Sequence, residues 1–297
     1  MYNFFADHIT NTPALPRQSS MINFSMLKEL YCPVPFRSFS IKYVGDGCEK
    51  YTVNGNKYLV ETGNYLIANH FSDGFIEIDS KKPVKGICID VAPSILSEVV
   101  ASHRRPDTPF ADISLDTFFN TPNFFENQYN SANTNVGKFL KELDIELSKN
   151  PFQQREISSE FYFSLAEKIL QDHVPIYKQL QTIQSLKPET KKELLRRITK
   201  AKEYIDGNYV SDIDIQTVAS ESSLSEYHFF RLFKAIFGIS PHQYIIRKRL
   251  EFSMFLIKQG NYSITDVACR SGFSDIYSFS KSFKNHYGTT PSSLFKA

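Results

Sequence analysis

SLSEYHFFRLFKAIFGISP occupies Ser223 to Pro241, and GFSDIYSFSKSFKNHYGTTP occupies Gly272 to Pro291. The two stretches align with one inserted residue. Val218-Ala219 returns as Val267-Ala268, 49 positions later, and Leu224-Ser225 returns as Phe273-Ser274. One inserted residue in the turn then makes the offset 50, pairing Tyr227 with Tyr277, Phe229 with Phe279, Arg231 with Lys281, Phe233 with Phe283 and Lys234 with Lys284. Phe237, Gly238 and Pro241 correspond in the same way to Tyr287, Gly288 and Pro291. The pattern is an internal duplication of one helix-turn-helix unit.

Each copy has the parts such a unit requires. Asp214 and Ser263 are candidate N-caps of the first helices, and Asp266, three residues after Ser263, resembles the far half of a capping box. Val218, Ala219, Val267 and Ala268 face inward, and the alanines allow close helix approach. The turns are ESSLS and RSGFS, in which Gly272 permits a left-handed backbone. The second helices run roughly over Ser225–Phe237 and Asp275–Tyr287. Phe229, Phe233 and Phe237 recur at i, i+4 and i+8, as do Phe279, Phe283 and Tyr287, so these rings read as core rather than as stacking platforms for bases.

What is left on the outer face is Tyr227, His228 and Arg231 in the first copy, and Ile276, Tyr277, Ser280 and Lys281 in the second. A helix fits the major groove of double-stranded DNA, and its early residues reach base edges. Arginine holds guanine through two bonds, tyrosine donates to acceptors, and isoleucine touches a thymine methyl. Ser225, Lys234 and Lys284, with the two helix N-termini, suit phosphates. The set is more convincing than any member, because each alone is also an ordinary exposed polar side chain.

Moving outward, RKRLEFSMFLIKQG (Arg247 to Gly260) reads as an amphipathic connector burying Leu250, Met254 and Ile257. Such a rod would hold the two second helices at a fixed separation, to enter grooves about 34 Å apart. Before the repeat, residues 188–205 form a further helix with Leu194, Leu195, Ile198, Ala201 and Ile205 inward. Its Lys191, Lys192, Arg196 and Arg197 suit either a polyanion or a solvated face. From 186 to 297 there are 17 Lys and Arg against 11 Asp and Glu, whereas the rest of the chain has 17 against 21. The net +2 of the 297-residue chain therefore hides a basic C-terminal third and an acidic body.

Residues 36–90 change character. FRSFSIKYV, KYTVNG, KYLVETG, NYLIANH, GFIEID and VKGICIDV are short β-branched and aromatic segments separated by Asn54-Gly55, Thr62-Gly63 and Asp73-Gly74. They predict an antiparallel barrel or sandwich. Pro13, Pro16, Pro33 and Pro35 mark an irregular arm leading in. Val136 to Lys149 and 156–171 predict two amphipathic helices, which either cover the sheet or pair with a second subunit. A linker is expected over 173–187, between Pro175 and Pro188, giving domains 1–172 and 188–297.

Other classes are poorly supplied. The four cysteines, Cys32, Cys48, Cys88 and Cys269, form no CxxC pair and read as free thiols, with a Cys32–Cys48 disulfide as the alternative. No apolar run approaches the ~20 residues of a membrane span, and MYNFFADHITN is not a secretory leader. Of the histidines at 8, 70, 103, 173, 228, 242 and 286, the sheet region holds only His70. A metal site of two or three histidines and a carboxylate is not expected there. No catalytic residue, metal or cofactor is assigned. A helical adaptor that binds protein, its basic face incidental, is the other alternative.

The duplicated region resembles the AraC/XylS-type bacterial transcription regulators. The likeness is carried by I-D-I-Q-T-V-A (213–219), S-x-x-x-F-F-R-x-F-K (225–234), F-G-I-S-P-x-Q-Y (237–244) and R-L (249–250) in the first copy. In the second it is carried by I-T-D-V-A (264–268), G-F-S-D (272–275), F-S-K-S-F-K (279–284) and G-T-T-P (288–291). It covers about 100 residues, and Ser253 and Lys296 stand where the family usually has alanine and arginine. The resemblance implies an α+β protein of two domains, an N-terminal cupin-like β-barrel with flanking helices and a C-terminal all-α domain with two helix-turn-helix units. It further implies a cytoplasmic bacterial regulator, an activator more often than a repressor, and a homodimer. RNA polymerase and a small effector are the implied further partners, and an arm at residues 1–20 that closes over the effector pocket occurs in some relatives. The cupin likeness raises a metalloenzyme as the reading that the histidine pattern argues against.

Overall fold

The structure is a computed structural model that describes residues 2–6, 19–36, 38–102, 119, 121–122, 124–153, 156–183 and 187–294. The chain divides into two compact units, 1–178 and 179–297.

The first unit is built on an eight-stranded sheet: β1 (Tyr2–Ala6), β2 (Met21–Pro35), β3 (Phe39–Asp46), β4 (Cys48–Val53), β5 (Asn56–Glu61), β6 (Asn64–Ala68), β7 (Asp73–Val91) and β8 (Asn127–Asn130). Strand β7 is the spine. One edge pairs with β2 along nearly its whole length, from Met21↔Asp90 to Pro35↔Asp73. The other edge is shared, with β3 on the later half and β4 on the earlier half. Two arms result, β7-β3-β6-β8 and β7-β4-β5. Leu27, Val44, Tyr51, Val53, Val60, Leu66, Ala68, Ile76, Ile78 and Val84 come from both arms and form one buried cluster. The turns at Asn54-Gly55 and Gly63 lie where the sequence places them, each with a positive φ.

Two expectations are corrected by these pairings. The sheet is open; no ladder closes a barrel among the described residues. The supposed irregular arm contains β1, parallel to β2, and the 15-residue β2 itself. Pro33 is the reason for the difference. A proline lacks one ladder donor and so reads as a strand breaker, yet Pro33 stands within β2 opposite Phe75 of β7. Residues 7–18 of the expected arm lie outside the described residues.

Helices α1 (Pro93–Ser102), α2 (Asn135–Lys149) and α3 (Ser159–Thr182) follow. Helix α3 runs well past the predicted 171 and straight through Pro175, so the first part of the expected linker is helix, and the division between the units falls within it. Two adjacent residues anchor it. Asp172 accepts from the backbone N–H groups of Asn135 and Val136, at 3.1 and 2.8 Å, and so helps cap α2. His173 is buried among Phe39, Phe119, Phe124 and Tyr129. These contacts hold the helix through a proline that would otherwise break it.

The second unit is all helix: α4 (Pro188–Asn208), α5 (Ile215–Glu221), α6 (Glu226–Phe237), α7 (Pro241–Gln259), α8 (Ile264–Arg270), α9 (Ile276–Tyr287) and α10 (Pro291–Leu294). Helix α4 packs on α5 and α6, and α7 packs on α8 and α9. The repeat is thus one of three helices, since α7 does for the second copy what α4 does for the first. Leu250, Leu256, Ile257, Val267, Ala268, Phe279 and Phe283 form the core of the second bundle, with Met254 partly buried against it. Ser253, unusual at its position, is buried, and its hydroxyl donates to the Leu250 carbonyl at 2.8 Å.

Among the described residues no helix is long and apolar enough to cross a membrane, and no group of three or more His, Cys, Asp and Glu is placed to hold a metal. The four cysteines are free thiols. Lys296, His8 and His103 lie outside the described residues.

Candidate nucleic-acid interface

Each copy sets its second helix with the same local chemistry. Asp214 caps α5 by accepting from the N–H groups of Gln216 and Thr217, both at 3.2 Å, and Ser263 and Asp266 form a complete capping box on α8. Ser225 Oγ accepts from His228 N–H at the start of α6, and Asp275 accepts from Ser278 N–H at 2.7 Å at the start of α9. That backbone bond, with the one from the Ser278 hydroxyl, holds the Asp275 carboxyl below its ordinary range. Both helices end in a left-handed glycine, Gly238 and Gly288, whose N–H donates at 2.9 Å to the carbonyl of Lys234 and Lys284 respectively.

The turns differ in one instructive way. Gly272 has φ +84°, and a Cβ there would lie 2.5 Å from the carbonyl oxygen of Val210. The equivalent residue in the first copy is Ser223, also left-handed at φ 52°. Its carbonyl accepts from Arg197 Nη1 at 3.2 Å.

With caps and turns fixed, the helical period sorts the side chains. Phe229, Phe233, Phe279 and Phe283 are fully buried, while Phe237 and Tyr287 close the cores half-buried. On the opposite faces Tyr227 and Tyr277 are 71% and 76% exposed, and His228, Arg231, Lys234, Ile276, Lys281 and Lys284 are exposed as well. Ser280 is half-buried, and Ser225 is exposed at its cap. The Arg231 guanidinium lies 5.6 Å from the centre of the Tyr227 ring, so the two share one face one turn apart. Further exposed positions on these helices escape the sequence pattern, among them Phe230, Ser278 (the counterpart of His228) and Asn285, one turn beyond Lys281. Carrying the i, i+4 spacing one step further finds Asn285.

The basic run on α4 is less free than its sequence suggests. Lys192 is buried, and Arg197 is committed to Glu193 at 2.8 Å as well as to the Ser223 carbonyl.

Helix α7 clasps the first bundle with its early half. Tyr244 OH donates to Asp206 on α4 at 2.7 Å, and its ring lies 5.5 Å from that of Phe233. Burial and that carboxylate raise the tyrosine pKa. Arg249 donates to the carbonyls of Tyr209 and Ser211 at 2.6 and 2.8 Å. The later half of α7 carries the core of the second bundle, so one helix registers both recognition helices.

The sequence profile described as "Helix-turn-helix domain" matches residues 218–297. These helices form a DNA-binding domain of the AraC/XylS type. The chain is 29% identical over 168 residues to the probable transcriptional regulator LumQ of Photobacterium leiognathi, covering 53% of this chain and 67% of that protein. It is 30% identical over 93 residues to the virulence regulon transcriptional activator VirF of Yersinia enterocolitica, covering 31% of this chain but only 34% of that one. Among solved structures, an AraC-type regulator from Chromobacterium violaceum aligns with 26% identity and a TM-score of 0.33, covering 34% of this chain and 91% of the other. The chain spans only about a third of the length of VirF.

Proposed function

We propose that the whole chain is a sequence-specific DNA-binding transcription regulator that reads two successive major grooves, with α6 and α9 as recognition helices. The observation that carries this is the matched pair of exposed faces: Tyr227 with Arg231 and Tyr277 with Lys281, each four residues apart, each behind an equivalent cap and turn. In this reading Tyr227, His228, Arg231, Ile276, Tyr277, Ser280 and Lys281 meet base edges, and Ser225, Lys234 and Lys284 meet phosphates. The match to proteins named as transcriptional regulators and activators supports the same reading and leans towards activation.

The first unit, in this reading, senses a small effector or pairs two copies of the chain, with a cupin-like sheet as its frame; a buried core between two sheet arms is compatible with both roles. RNA polymerase is the protein partner that activation would require, and the cytoplasm is where the work would be done. The reading is tested by selecting binding sites from a random duplex library and measuring affinity against salt. A groove reader gives one enriched motif and an affinity that falls steeply and linearly in log–log form. A protein-binding adaptor enriches no motif.

A further inference from the structure

The core between the sheet arms is not wholly apolar. Lys42 on β3 is buried, and its Nζ lies 2.6 Å from Sγ of Cys88 on β7. The two residues are direct cross-strand partners. Of the carboxylates nearby, Asp90 accepts from the Ser40 hydroxyl and, at 4.0 Å, from the Cys88 thiol, and Glu49 accepts from Tyr51 OH at 2.7 Å. The Lys42 nitrogen also lies 5.5 Å from the Phe36 ring centre. Its contact atom is therefore a sulfur.

The separation has a chemical meaning. An N–H···O hydrogen bond spans about 2.9–3.0 Å, and sulfur is larger than oxygen, so an N–H···S bond must be longer. The observed 2.6 Å is too short for that bond and too long for nitrogen bonded directly to sulfur. It suits a nitrogen and a sulfur that share one bridging oxygen. We infer that Lys42 and Cys88 are a modification site, joined under oxidation by a covalent N–O–S bridge that ties β3 to β7. The bridge is independent of the DNA-binding reading.

The oxidant is a peroxide, and hydrogen peroxide balances the reaction. The Cys88 thiol and one peroxide give a sulfenic acid and water. The Lys42 ammonium releases one proton to become an amine. A second peroxide takes one hydrogen from the amine and one from the sulfenic acid as the N–O bond forms, leaving two waters. Sulfur and nitrogen each give up two electrons, and each peroxide accepts two. Reversal takes four electrons, supplied by two dithiols: the first breaks the S–O bond, giving the thiol and a lysine hydroxylamine, and the second reduces the N–O bond, giving the amine and water. Cys88 is half-buried, so a small oxidant can reach it. Burial, with Asp90 adding, pushes its thiol up to about 11, against the opposing pull of Lys42. Exposed Cys48 and Cys269 therefore oxidise first, and the bridge answers sustained rather than brief oxidant.

The test uses the full chain in a Cys48→Ser, Cys269→Ser background, reduced and then treated with hydrogen peroxide. The expected result is an intact mass higher by one oxygen and lower by two hydrogens, lost again with dithiothreitol. Digestion should give one linked peptide containing both Lys42 and Cys88. Lys42→Arg keeps the charge and should abolish the product. Three results would overturn the inference: whole oxygens on Cys88 with the Lys42 peptide unlinked, a loss of two hydrogens alone from a Cys32–Cys88 disulfide, or Cys88 still unmodified under sustained peroxide well beyond the dose that fully oxidises Cys48 and Cys269 in the unsubstituted chain. The unsubstituted lysine–cysteine pair carries the readout, so poor folding of a variant does not decide the matter.

Discussion

Gly272 and Ser223 occupy one backbone position in two copies of the same turn, and their difference is measurable. At Gly272 any side chain meets both a left-handed φ and the Val210 carbonyl. Gly272→Ala should cost about 2–4 kcal/mol in denaturant unfolding followed by circular dichroism. Ser223 already bears the left-handed strain, so Ser223→Gly should be neutral or stabilising by up to about 1 kcal/mol in the same experiment. The residues proposed to meet DNA separate by role rather than strain. Arg231→Ala should cost about 1–3 kcal/mol at one base pair of a selected site and relax preference there. Lys284→Ala should weaken all sequences alike and lower the salt slope by about 1. These residues are legible in the sequence because the repeat gives each an internal control: a position that is phenylalanine in both copies (Phe229 and Phe279, Phe233 and Phe283) is core, one that is basic in both (Arg231 and Lys281, Lys234 and Lys284) is surface, and the pair Tyr227 and Tyr277 falls on the basic face by its i, i+4 spacing. Ser280 is less so. Its pattern points outward, yet it stands half-buried, because its copy-one counterpart is Phe230 and the pair shares no residue type.

At the level of elements, α7 is where sequence and structure part most usefully. Its apolar residues from Leu250 onward are readable, so a connector is expected from Arg247. The start at Ser240-Pro241 and the clasp on α4 depend on contacts across 38–40 residues, which no local period reports. Tyr244→Phe should leave both recognition helices intact. It should cost about 1–2 kcal/mol of stability through the lost bond to Asp206, and a calorimetric scan of the full chain would show it. Helix α3 teaches the same lesson, since Pro175 reads as an end and the burial of His173 overrides it. Burial holds the His173 pKa down at about 4, against the backbone bond to Ile169 and the nearby Asp172 charge. In the unfolded chain the imidazole takes its proton near pH 6.5. Between those values the unfolded state binds more protons, so stability falls as pH drops from about 6.5 towards 4. His173→Phe should flatten that acid limb in thermal melts across the window, whereas an unchanged limb would assign it to other groups.

Across the whole molecule, composition foresees a division that the structure draws with different detail. The basic C-terminal third is a helical unit, and the acidic body contains the sheet. The sheet's short central strands are readable from turns and alternation. Its openness is not, because closure is a question of which strand edges meet, and alternation is the same in barrels and open sheets. Specificity for DNA, as proposed above, belongs to the second unit's duplicated faces, held in register by α7. The most direct test is methylation protection of guanine N7 on a selected duplex bound by the full chain. Protection should appear in two successive major grooves on one face of the duplex, about 10 base pairs apart, with Arg231→Ala clearing one patch and Lys281→Ala the other. Protection confined to a single groove, or two patches unchanged by both substitutions, would contradict the two-groove reading.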